Sequence, residues 1–211
     1  MYAIILGNGR APDPVRLREH LDQADLFIAA DGGASRARSL GLQPDLIIGD
    51  LDSYRPPESG AETAEVIHDP DQETNDLEKA LSAAARRGAQ RADIFGAFGH
   101  RPDHTLKNLS VLKRFNRTFR SLRFLDRWGM MLLLPNEFEI DVPTGSGISL
   151  IPLSGRVDGI QTKGLAYPLR DESLEMGVRD GTSNRAVGQR ISISHRSGDL
   201  LLFIVDMEET E

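Results

Sequence analysis

The sequence predicts an α/β N-terminal domain, a parallel sheet with flanking helices, followed by an all-β C-terminal sandwich. Three observations predict it. Short apolar β-rich runs alternate with longer amphipathic stretches over the first 125 residues; helical periodicity fades after about residue 127; and from there Gly, Pro and Ser punctuate short strand-like runs to the end. The boundary implied is 1–127 and 128–211.

The N-terminal strands are read at Tyr2–Leu6, Leu26–Ala30, Leu46–Ile48, Glu65–His68, Asp93–Phe95 and Leu122–Leu125. Between them, Leu77, Ala80, Leu81 and Ala84 follow the i, i+3, i+4, i+7 spacing of one helical face. Asn75 and Glu78 fit a capping box at its start. A second helix opens at Pro102, where a missing N–H does no harm, and carries Leu106, Leu109 and Leu112. In the C-terminal part, "RISISHRSGDLLLFIVD" alternates at Ile191, Ile193 and His195, turns at Arg196–Asp199 and returns apolar, which predicts an antiparallel hairpin. His195 continues the inward face and reads as packing; Trp128, at the domain junction, reads as structural.

Composition narrows the function. A formal net charge of −7 argues against a dedicated nucleic-acid binder. Without cysteine there is no disulfide, thiolate nucleophile or cysteine-ligated zinc. No apolar run reaches the roughly 18 residues of a membrane span, and no signal-peptide pattern opens the chain, so the sequence reads as cytoplasmic.

The chemistry gathers where the N-terminal strands end. Gly7-Asn8-Gly9 follows the first strand, Asp31-Gly32-Gly33 the second and Gly49-Asp50-Leu51-Asp52-Ser53 the third. The fourth is followed by Asp69 to Asp76 and the fifth by Gly96-Ala97-Phe98-Gly99-His100-Arg101. Ligands of open α/β sheets bind at the carboxyl ends of the strands. Glycines there let backbone N–H groups approach phosphate, and aspartates supply the hard oxygens that Mg²⁺ prefers. Asp31, Asp50, Asp52 and Asp76, with Arg101 to balance phosphate, therefore read as a Mg²⁺–nucleotide site. No Walker A sequence is present, so a P-loop fold is rejected. His100 and His104 are four apart, but no third histidine or cysteine is placed to join them on zinc. Two other readings of the residues stay open: a metal-dependent nucleotide-sugar glycosyltransferase, which also uses Asp-x-Asp after a strand, and a non-catalytic nucleotide sensor.

The segments "DGGASRARSLGLQPDLIIGDLDS", "DQETNDLEKAL" and "GAFGHRPDHTLKNL" resemble the N-terminal signatures of thiamine pyrophosphokinases. "GLAYPL" and "DGTSNRAVGQRISISHRSGDLLLFIVD" resemble that family's thiamine-binding β domain. The resemblance implies transfer of the pyrophosphoryl group of ATP to the hydroxyl of thiamine, with release of AMP, in a homodimer. It implies an ATP- and Mg²⁺-binding catalytic domain at 1–127 and a thiamine-binding and dimerisation domain at 128–211. Asp50, Asp52 and Asp76 match the family's Mg²⁺ carboxylates, and Asp31 its Asp-Gly-Gly aspartate. Gln72 and Ser53 match positions near the nucleotide and the reacting centre, and Arg101 and Asp103 its Arg-x-Asp, the arginine facing phosphate. Ser183 and Asn184 match the pair that holds the thiamine pyrimidine, and Tyr167 an aromatic near thiamine. Asp31 and Asp103 are the two carboxylates left as acceptors of the hydroxyl proton. The chain departs from the pattern at Asn75, where threonine is usual, and at Pro102, Ala166 and Arg185.

Overall fold

A computed structural model describes residues 1–57, 63–99 and 101–206, in two compact units, Met1–Asp126 and Arg127–Glu211. In the first unit the chain runs β1 (Tyr2–Leu6), α1 (Pro14–Leu21), β2 (Leu26–Ala30), α2 (Gly33–Ser39), β3 (Leu46–Gly49), β4 (Glu65–His68), α3 (Asp76–Arg86), β5 (Arg91–Phe95), α4 (Pro102–Phe115) and β6 (Ser121–Asp126). Its strands lie parallel in the order β4-β3-β2-β1-β5-β6. β1, β2 and β3 are buried along their whole length, which is why "YAIIL", "LFIAA" and "LIIG" are continuous rather than alternating apolar runs. The chain winds outward from β1 through β4, then restarts on the other side with β5. That reversal places a crevice outside the carboxyl ends of β1 and β5, where open sheets of this type bind ligands.

Helix α3 begins as its capping box dictates. Asn75 Oδ1 accepts from Glu78 N and Glu78 Oε2 from Asn75 N, each at 3.0 Å. Helix α4 departs from the expected face. Leu112 is buried with Val111 and Phe115, whereas Leu106 is 68% exposed. At 3.6 residues per turn, successive steps of three drift by roughly 60° each, so the row 106, 109, 112 wraps around the helix. The inward face follows Asn108, Val111, Leu112 and Phe115.

In the second unit β7 (Gly129–Leu133), β8 (Glu137–Asp141), the 17-residue β9 (Gly147–Lys163), β10 (Arg170–Glu175), β11 (Gly181–Arg185), β12 (Arg190–Ser194) and β13 (Ser197–Val205) pair antiparallel. The first part of β9 pairs with β13 and β11, and its last residues with β12; β10 pairs along its later half. The expected hairpin of the tail does not form. β12 pairs with β8 and β9, and β13 with β7 and β9, so Arg196 turns the chain from one sheet to the other. Local alternation marks both strands but carries no information on which strand each will join. Ile148, Leu150, Val157, Ile160, Ile191, Ile193, Leu200 and Leu202 fill the core between, and His195 is buried beside them. Trp128 is 39% exposed, with the Arg127 guanidinium 4.2 Å from its ring centre.

Candidate active site

Strand ends bring Asp31, Asp50 and Asp76 together: one carboxylate oxygen from each lies within 4.8 Å of the others. Asp31 leaves β2 in the left-handed region at φ 43°, its N–H on Ile48 O at 2.9 Å. Asp50 leaves β3, and its N–H donates to Asp76 Oδ1 at 3.3 Å. Asp76 is the first residue of α3. Gly49 makes the approach possible, because a Cβ there would stand 2.8 Å from Asp31 Cβ and 2.9 Å from Asp76 Oδ1.

The cluster is short of positive charge. Burial pushes the Asp31 carboxyl up, and the Asp52 charge adds to it, against hydrogen bonds from Gly32 and Ser53. Burial likewise raises Asp76, followed by the charges of Asp31 and Asp50. Asp31 Oδ1 is buried with no hydrogen-bond partner within the protein. The cation beside the cluster is Lys79, which sequence reading passed over; its Nζ lies 3.8 Å from Asp76 and donates to Asp69 O at 2.8 Å. It stands three residues after Asp76 on the same side of α3, an i, i+3 spacing that the sequence does carry. Crowded, desolvated hard oxygens with one of them unpartnered fit a divalent cation such as Mg²⁺.

Asp52 stands outside this trio. Leu51, at φ 61°, turns the chain between the two aspartates. Asp52 is exposed, accepting from Ser53 Oγ at 2.8 Å, while its N–H donates to Asp50 Oδ1 at 3.2 Å. The set assembled thus differs from the metal set read in the sequence by holding Asp31 in place of Asp52. Ser53 N–H meets Asp31 Oδ2 at 3.2 Å, and Gln72 Nε2 reaches Asp50 Oδ2 at 3.4 Å.

Next to the trio, at the crevice between β1 and β5, is a cleft of about 300 Å³. Its walls are the Gly7–Gly9 and Gly96–Gly99 loops, and Asp76 and Asn108 also line it. Gly7 N–H donates to Phe95 O and Gly9 N–H to Gly96 O, both at 2.8 Å, so these glycines zip the loops together. Gly32 packs on the Asn8 side chain, and Gly33 lies so close to β1 that a Cβ would come within 2.1 Å of Leu6 O. Arg101, at the cleft, is tied to Asp103 through Nε at 3.1 Å and Nη2 at 2.5 Å, both side chains exposed. That pairing holds Asp103 below the usual carboxylate range. His104 lines the cleft, and His100 lies outside the described residues.

In the second unit, Ser183 has φ 60° and its N–H donates to Ser149 Oγ at 3.2 Å. Asn184 clasps the backbone of Tyr167: Oδ1 accepts from its N–H at 3.1 Å and Nδ2 donates to its carbonyl at 2.7 Å. The Tyr167 ring is 73% exposed. Asp31, Leu51 and Ser183 are three of the non-glycine residues at positive φ, a strain that concentrates at functional sites.

These features define a class: an α/β protein with an acidic pocket at the carboxyl ends of a parallel sheet, followed by a β-sandwich. Comparison with known proteins makes the class particular. Residues 17–124 match the family described as thiamin pyrophosphokinase, catalytic domain, and residues 136–200 match thiamin pyrophosphokinase, vitamin B1 binding domain. Thiamine pyrophosphokinase 1 of Oryza sativa subsp. japonica is 30% identical over 227 residues, covering 93% of this chain and 84% of that protein. The thiamine pyrophosphokinase of Bacillus subtilis is 27% identical over 192 residues, covering 88% of this chain and 90% of its own. The crystal structure of a Bacillus subtilis thiamine pyrophosphokinase superposes with a TM-score of 0.85 at 24% identity, over 98% of this chain and 100% of that one. The Candida albicans enzyme superposes at 0.84 and 19%, over 97% and 89%; at such identities the likeness speaks to the fold. The chain belongs to the thiamine pyrophosphokinase family. The matches give no support to a glycosyltransferase. No helix among the described residues is long and apolar enough to cross a membrane.

Proposed function

We propose that the protein transfers the pyrophosphoryl group of ATP to the hydroxyl of thiamine, giving thiamine diphosphate and AMP. The observation that carries this reading is the under-neutralised trio Asp31, Asp50 and Asp76 beside a glycine-walled cleft, in a chain of this family. Asp31, Asp50 and Asp76 would hold Mg²⁺, with Asp52 at its edge. A bound Mg²⁺ supplies charge neutralisation for the phosphates and for the AMP leaving group.

The remaining work falls to this chain's own side chains. A primary alcohol does not ionise near neutral pH, so positioning and charge placement dominate over covalent catalysis. The thiamine oxygen attacks the β-phosphorus, the bond from that phosphorus to the α-bridging oxygen breaks, and the electron pair leaves with AMP. The hydroxyl proton passes to a carboxylate. Of the two sequence candidates, Asp31 would be committed to the metal, whereas Asp103 is released when Arg101 turns to phosphate and is then free to take the proton. Arg101, at the cleft, would move from Asp103 to phosphate, for which its planar fork is suited. Asn8, Gln72 and Ser53 would contact the nucleotide and reacting centre. Tyr167, with Ser183 and Asn184, would receive thiamine, whose cationic thiazolium suits an aromatic face. The reading includes a homodimer and a cytoplasmic location.

Incubation with ATP, Mg²⁺ and thiamine, followed by chromatographic separation of nucleotides and thiamine phosphates, tests it. Equal amounts of AMP and thiamine diphosphate are expected. ADP with thiamine monophosphate would mean a simple kinase, and nucleotide binding without a thiamine-dependent product would favour a sensor.

A further inference from the structure

One polar side chain on the inward face of α4 is unused by the reaction outlined above. Asn108 precedes Val111, Leu112 and Phe115 by three, four and seven residues, so it occupies an apolar position of that face. Its Oδ1 accepts from Asn75 Nδ2 at 3.1 Å, and its Nδ2 donates to Ala97 O at 2.7 Å.

The direction of this chain is set at both ends by backbone atoms. Glu78 N–H can only donate, which commits Asn75 Oδ1 to the cap and turns Asn75 Nδ2 toward α4. Ala97 O can only accept, which turns Asn108 Nδ2 toward it and leaves Oδ1 for Asn75. Asn75 precedes Asp76 of the acidic trio, and Ala97 follows Gly96, whose carbonyl holds Gly9 N–H. Two side-chain amides therefore span from the acidic side of the cleft to its glycine wall. Lys107 and Arg114 also grip the start of α3, through Glu78 at 2.8 and 2.6 Å, but they bond the helix alone and do not reach the loop after β5.

We propose that Asn75 and Asn108 form a directional amide relay that fixes Asp76 relative to the Gly96–Gly99 wall, making both positioning residues for a magnesium-complexed nucleoside triphosphate. The inference rests on the nucleotide reading of the cleft. Helix capping alone does not require asparagine at 75, since aspartate and threonine also cap. The relay does discriminate. An aspartate at 75 has no donor, so Asn108 must turn its Nδ2 toward it and face Oδ1 against Ala97 O. A threonine hydroxyl accepts from Glu78 N and donates to Asn108.

The test is calorimetric titration of the full chain with Mg·ATP, alongside thermal unfolding. Asn75→Asp keeps the cap but turns Asn108 Oδ1 against Ala97 O, so it should unfold only about 2–4 °C below wild type. It should bind Mg·ATP about tenfold more weakly. Asn75→Thr should recover most of that loss. Asn108→Leu, which adds no charge, should match Asn75→Asp, and the double variant should be no weaker than the weaker single, because both break one relay. Equal binding by Asn75→Asp and Asn75→Thr, wild-type binding by Asn108→Leu, or additive losses would overturn the relay. Absence of Mg·ATP binding by the wild type would overturn the reading of the cleft, and the proposal with it.

Discussion

The parallel sheet of the first unit carries two groups of carboxylate charge, one buried within β5 and one partly buried at the ends of β2 and β3, that are balanced in opposite ways. Asp93 of β5 is fully buried, and burial works to raise its carboxyl. Hydrogen bonds from His20, Arg123 and Tyr2, with the Arg123 charge, outweigh it and hold Asp93 far below the usual carboxylate range. Arg123 Nε donates to Oδ1 at 2.7 Å, while Tyr2 Oη, at 2.6 Å, Arg123 Nη2 and His20 Nδ1 all close on Oδ2. At Asp31 and Asp76 burial prevails and raises the carboxyls, and Lys79 Nζ lies 3.8 Å from Asp76. One carboxylate with several donors is a finished structure. Three carboxylates beside one ammonium among the described residues leave negative charge over, a setting that a divalent cation fits.

Exchanging the two situations by mutation gives the largest expected effect. Asp93→Asn leaves the partly buried Arg123 guanidinium without its carboxylate and should cost about 3 kcal/mol in urea unfolding. Turnover per folded molecule should hold. A loss below about 1 kcal/mol would show that Asp93 is solvated in practice. The pH dependence follows from the depressed folded value. Stability from such a group is complete above its unfolded value, about 3.9, and drains away as pH falls toward the folded one. The gap between wild type and Asp93→Asn should therefore close on acidification below about pH 3.9. A gap that stays constant to low pH would assign the loss to packing.

At the trio the signs reverse. Asp76→Ala should reduce turnover by about 10²–10³, the usual cost of deleting one electrostatic stabiliser. Without metal its effect on stability should be small, because relief of the repulsion from Asp31 and Asp50 offsets the loss of the carboxylate beside Lys79. Asp76→Ala with more than half the wild-type turnover would remove it from the catalytic set. Asp52→Ala sharpens the contrast. Exposed and bonded to Ser53, Asp52 is expected to matter about tenfold in turnover, clearly less than Asp31, Asp50 or Asp76. If Asp52→Ala matches Asp76→Ala in both turnover and Mg²⁺ requirement, the side chain rotates into the trio when metal binds.

How much of this could be read beforehand depends on the distance over which a feature is encoded. The strands of the first unit and the capping box at Asn75 are local, and the chain states them in composition and period. That carboxylates end neighbouring strands is also local. Which of them converge is not: Asp31 joins Asp50 because β2 pairs in register with β3 and because Gly49 has no side chain in the way. Asn108 was hidden for another reason. A polar residue on an apolar helical face looks like noise until its partner, dozens of residues away, is known. The partners of β12 and β13 were illegible for the same cause, since each joins a distant strand, β8 or β7, as well as β9, which runs through both sheets.

The smallest expected effect lies in the second unit and separates contact from support. The resemblance casts Asn184 as a thiamine contact, yet its amide is engaged at both ends with the Tyr167 backbone. If it acts through Tyr167, Asn184→Ala should raise the thiamine KM several-fold, by about the 1 kcal/mol of a lost exposed hydrogen-bond pair, and leave the ATP KM as it was. Once Tyr167 is replaced by alanine, adding Asn184→Ala should cost nothing more in thiamine KM, because the support then has nothing to hold. Full additivity of the two would instead give Asn184 a contact of its own, and an equal rise in both KM values would remove it from the thiamine side altogether.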